Sequence, residues 1–136
     1  MVETRSLFQS ALVEAERHKY IESQKVGRDV GLPAIDDWHQ RYWTLWLRHR
    51  WIEHLLGDVR YEEFAPDTFG VLRRDFGPSP LLAEVIERVR YGAENIDVLI
   101  WASRERRDLS ATMAMLTTMR INDIRCTRFC FAFAEQ

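Results

Sequence analysis

Two His-x-x-x-Glu steps, His18 with Glu22 and His49 with Glu53, are the side chains of this 136-residue chain best spaced for chemistry. Residues four apart share a helical face, so each step could offer an imidazole nitrogen and a carboxylate to one divalent cation. Ferritin-like bundles hold metal pairs by this logic, with Glu-x-x-His steps on two helices and single glutamates on two more. No Glu-x-x-His occurs here. Register is a second objection. A chain reversal near Asp29–Val30 sets His18 level with Tyr42, about seven residues or ~10 Å short of His49. The favoured reading is therefore a histidine and a glutamate hydrogen-bonded beneath aromatic rings, since buried polar groups are paired. A metal-binding bundle using His18, Glu22, His49 and Glu53 is kept as an alternative, because a symmetric dimer could restore the register. No cofactor is otherwise implied.

Other motifs carry less. His49-Arg50-Trp51-Ile52-Glu53-His54 has one residue more than the inverted zinc-protease motif His-x-x-Glu-His. The extra residue turns the first histidine about 100° from where a shared zinc ion needs it. Cys126-x-x-x-Cys130 lacks the Cys-x-x-Cys spacing of redox and zinc sites and reads as core thiols. Gly31–Trp38 invites a helix-turn-helix reading, but Asp36 and Asp37 would face phosphates, and Arg41, Arg48 and Arg50 read as solvated. With 19 Lys and Arg against 21 Asp and Glu, and no basic run, no nucleic-acid footprint is expected. No stretch approaches the roughly 18 apolar residues of a membrane span, and no export signal is visible, so a cytoplasmic protein is expected.

The elements that must position these groups read as helices. Leu7, Phe8, Ala11, Ala15, His18 and Val26 follow a helical period, predicting a first helix from Glu3 to about Val26 that stops at Gly27. Pro33 opens a second helix that runs to Leu56 and ends at Gly57. Together they predict a long antiparallel hairpin over residues 3–56, with Arg28 and Asp29 locking its turn. Residues 58–64 show little pattern. Shorter helices are predicted over 69–76, from Ser79-Pro80 to Tyr91, from about Ile96 to Arg104, and from Asp108 or Ser110 to Met119. A rival makes 96–101 and 126–133 strands of a βαβ unit, but two strands make a poor sheet. The expected fold is all-α: one helical domain, hairpin 3–56 plus a helical part 66–136, ending in an extended tail.

Four of the five tryptophans fall within fourteen residues of the second helix. Ile35, Trp38, Tyr42, Leu45, Trp46, His49, Ile52 and Leu56 form one stripe, and Trp43, Leu47 and Trp51 a second nearly opposite. Two apolar faces need two covers. Either the C-terminal helices cover the second stripe, or it meets its equal across a two-fold axis. The latter predicts an interface of Trp43, Leu47 and Trp51 in a homo-oligomer, with a larger protein partner as a further possibility.

The stretch His18–Trp38 resembles a short pattern in uncharacterised bacterial proteins, in which a His–aromatic–Ser helix end leads into Gly-Arg-Asp-Val-Gly and then Ala…Asp-aromatic. It covers 21 of 136 residues. The resemblance implies a bacterial origin and a recurrent helical turn, and it transfers no catalytic or binding residue. The function expected is that of a small interaction, scaffold or accessory protein. Its alternatives are the metal-binding bundle and a small-molecule binder on the tryptophan-rich helix.

Overall fold

Helix punctuation sets the architecture. The computed structural model describes residues 3–125; Cys126, Cys130 and the alternating Phe129, Phe131 and Phe133 lie outside the described residues. Helix α1 spans Leu7–Val26, capped by Ser6, whose hydroxyl accepts the Gln9 amide, and ended by Gly27 in the left-handed region. Helix α2 spans Leu32–Leu56 with a proline in its first turn and Gly57 as its left-handed end. After a single 3-10 turn at Pro66–Thr68 come α3 (Val71–Phe76), α4 (Pro80–Arg90), α5 (Asn95–Arg104), α6 (Leu109–Met119) and α7 (Ile121–Arg125). Among the described residues the fold is all-α apart from one small ribbon. Residues 96–101 belong to α5, so the βαβ rival falls.

That ribbon corrects two expectations. Glu3–Arg5 is not the start of the first helix but a strand, β1, and the patternless 58–64 contains a second strand, β2 (Val59–Tyr61). They pair in parallel, Glu3 against Val59 and Arg5 against Tyr61, which ties the start of α1 to the end of α2. Glu63 finishes the junction. Its carboxylate accepts from Ser6 Oγ (2.8 Å), Leu7 N (2.6 Å) and Phe8 N (3.1 Å), three donors at the positive end of α1. Burial alone would raise the Glu63 pKa; these bonds outweigh it and hold the carboxyl below its ordinary value.

Helices α1 and α2 pack on each other across the turn at residues 27–31. His18 lies beside Tyr42, ring centroids 5.6 Å apart, as the turn position requires. Asp29 Oδ1 accepts the Gly31 amide (2.9 Å) and Ser23 Oγ the Val30 amide (3.2 Å). Asp29 thus closes the turn by its side chain, while Arg28 contributes its backbone amide to the Ser23 carbonyl. Asp36 and Asp37 sit past the first turn of α2, since the helix already starts at Leu32.

The other side of α2 is covered by the chain itself. Helices α3, α4 and α7 pack on it, and α6 packs on α3 and α4. Trp43, Leu47 and Trp51 are 7%, 1% and 5% exposed, and Trp51 Nε1 donates to the Met119 carbonyl (2.6 Å). The stripe expected to be an interface is therefore core within one chain, with Trp51 tied to the end of α6. On the stripe expected to be core, Tyr42 and Leu45 are 46% and 42% exposed. Beyond α4, Arg88 stacks 3.6 Å over the Trp101 ring of α5, and Arg107 forks onto Glu84 (3.1 and 2.9 Å).

Candidate functional site

The four candidate metal ligands do not come together. His18 Nε2 lies 2.8 Å from Asp37 Oδ2, and Arg41 reaches the other oxygen of Asp37 at 3.4 Å. Glu22 pairs with Lys25, and Glu53 with Arg50, each on its own helix. His49 Nε2 donates to the Arg90 carbonyl at 2.7 Å. The cause is register: His18 is spent on the first half of α2, while His49, seven residues beyond its level at Tyr42, faces α4. Among the described residues no group of His, Cys, Asp and Glu is arranged to hold a metal ion. The divalent-metal alternative at these four residues is accordingly withdrawn.

What the second half of α2 builds instead is a cleft. Arg48, read from sequence as solvated, is 4% exposed. Its guanidinium donates to the carbonyls of Val89 (3.3 Å) and Ala93 (3.1 Å) and lies 3.5 Å from Glu94. A cation on the last carbonyls of α4 complements the negative end of that helix. His49 adds its bond to Arg90, the next exposed carbonyl along. Two consecutive residues of α2 therefore grip one end of α4.

At the other end, Arg73 of α3 donates to the Leu56 carbonyl (3.1 Å) and pairs with Asp58 (2.6 Å). Gly57, at φ +84°, lets the chain pass so close to Gly70 that an added Cβ would stand 3.3 Å from the Gly70 Cα. Held at both ends, α2, α3 and α4 enclose a cleft of about 850 Å³, open to solvent on one side. That volume falls in the range of ligand sites. Leu56, Leu82 and Ile86, all buried, form its floor; His49, Arg73, Glu87 and Arg90 stand around it. Ser79 reaches the cleft as the cap of α4, its hydroxyl accepting the Leu82 amide (3.3 Å). The arrangement can hold an apolar body in place and pair its polar edge. Its one histidine already donates Nε2–H to a carbonyl, which leaves Nδ1 as its other polar atom.

His54, which the sequence offered only as the last residue of a rejected zinc motif, is the most enclosed histidine. It is 0% exposed, stacks on Trp51 and meets Phe64 and Phe69 edge-on. The Tyr61 amide donates to its Nδ1 (3.2 Å), so Nε2 carries the proton, 3.0 Å from Thr68 Oγ1 and 3.3 Å from the Ala65 carbonyl. The ring is therefore neutral. Burial pushes its pKa below the ordinary value, the Arg60 charge adds to this, and the Ala65 carbonyl opposes it. A fully enclosed ring joining α2, β2 and the 3-10 turn is a structural latch that no spacing rule could have flagged.

No helix among the described residues is long and apolar enough to cross a membrane. No protein-family model, curated protein or solved structure matches the chain, so the geometry of the cleft carries the functional reading.

Proposed function

We propose that the chain is a small helical accessory protein that works by docking a partner in the cleft between α2, α3 and α4, in the cytoplasm of a bacterium. The observation that supports this reading is the cleft itself: a buried apolar floor of Leu56, Leu82 and Ile86, framed by charges and braced at both ends from α2. Interfaces combine an apolar centre with a polar rim in this way. The docking surface is thus displaced from Trp43, Leu47 and Trp51, which are spent on the core.

The test is a photoreactive residue at Ala83, an exposed position lining the cleft, and a control at the exposed Gln24 in the native host. Cross-linking from position 83 alone should give one protein, whose purified form binds wild type and loses at least tenfold in affinity for Ala83→Trp. Equal cross-linking from both positions, or equal binding to Ala83→Trp, overturns the reading.

Self-association is a second reading, favoured by Leu12, Val13, Tyr20 and Ile21 of α1, all of which are exposed. Apolar side chains so concentrated on one helix suit a second copy of the chain. Sedimentation should then show a dimer that Val13→Lys with Tyr20→Lys dissociates. A monomer at all concentrations removes it.

A further inference from the structure

We propose that the cleft receives a single amphipathic helix of the partner, laid along α4 with an acidic residue over Arg90 and a basic residue over Glu87. This rests on the docking reading above. Along α4, Ala83, Glu87 and Arg90 follow i, i+4, i+7 spacing and border the cleft beside the buried Leu82 and Ile86.

The rim charges divide into two kinds. Arg73 is spent on Asp58, and His49 on the Arg90 carbonyl. Outside the cleft, Glu84 is spent on Arg107 and Arg88 lies on Trp101. Glu87 and the Arg90 guanidinium, by contrast, have no ionic or hydrogen-bonded side-chain partner among the described residues. One negative and one positive group, a helical turn apart, suit neither a uniformly anionic nor a uniformly cationic occupant. They suit a partner that carries both signs at the same spacing beside an apolar stripe. A helix with charges three or four residues apart does so, in the manner of helix-in-groove recognition. From Leu82 to Tyr91 the groove offers about 14 Å of α4, or roughly two and a half turns.

The probes are two synthetic 15-residue helical peptides with the same leucine stripe and one Glu and one Lys on its flank, in opposite order. Fluorescence anisotropy with the full chain should show one order bound about fivefold tighter, the scale of two exposed ion pairs. In Glu87→Arg combined with Arg90→Glu the preference should invert, and Ala83→Trp should remove both peptides. Equal affinity for the two orders, or a preference that survives the charge exchange, overturns the helix assignment. Sensitivity to Ala83→Trp with no charge preference leaves the docking site standing without it. Binding of neither peptide also overturns the helix assignment, and the cross-link at position 83 then judges the docking site alone.

Discussion

The two halves of α2 are held in different ways. The first half meets α1 where His18 packs on Tyr42 and bonds to Asp37, and it leaves Tyr42 and Leu45 half in water. The second half is surrounded. Leu47, Trp51, Ile52, Leu55 and Leu56 are buried, Arg48 and His49 bond to the end of α4, and His54 bonds to β2 and the 3-10 turn. One continuous helix is therefore an arm at its start, buried at Ala34, Trp38 and Trp43 but half open to water at Tyr42 and Leu45, and a frame at its end. The cleft is built on the frame, because only there do side-chain bonds fix where α4 stands.

Truncation should break this contrast most visibly. Trp51→Ala removes a buried ring and orphans the Met119 carbonyl, so chemical denaturation should show a loss of about 3–5 kcal/mol. Tyr42→Ala, on the arm, should cost less than about 1 kcal/mol. Similar losses at both positions would erase the distinction. Next comes Arg48→Met, which keeps the apolar stem, strands the Ala93 carbonyl and leaves the Val89 carbonyl only the Gly92 amide. It should cost about 2–4 kcal/mol and weaken partner binding, because the end of α4 is freed.

The latch should also sharpen the contrast through pH. His54 has a folded pKa below its unfolded value near 6.5, so its contribution is whole above pH 6.5 and is lost as pH falls through the window below it. The slope for one proton cannot exceed about 1.4 kcal/mol per pH unit. Glu63 adds a further loss only below about pH 4.5. His54→Asn, which keeps an acceptor for the Tyr61 amide, should be less stable overall but flat between pH 5 and 7. A wild type equally flat there would contradict a neutral latch. The smallest effect belongs to the arm: Asp37→Asn weakens a partly exposed pair and should cost about 0.5–1 kcal/mol.

Much of the frame was legible because local chemistry writes it. Gly27, Gly57, Pro33, Ser79-Pro80 and Asp108 mark real helix ends, and the turn position alone set His18 beside Tyr42. That the second stripe of α2 would be buried as well as most of the first was not legible, since periodicity shows two apolar faces without saying what lies over each. The β1–β2 ribbon escaped because strands of three residues show no alternation and their pairing joins residues 56 apart. Glu63 as the cap of α1 depends on that same closure. Arg48 misled for a simpler reason: an arginine amid polar residues looks solvated until α4 brings carbonyls to it.

Hydrogen exchange read amide by amide along α2 tests the division most directly. Amides from Leu47 to Leu56 should exchange only with global unfolding, while those around Tyr42 should open at lower free energy. Uniform protection along α2, or stronger protection around Tyr42 than around Trp51, would contradict the account of an arm and a frame.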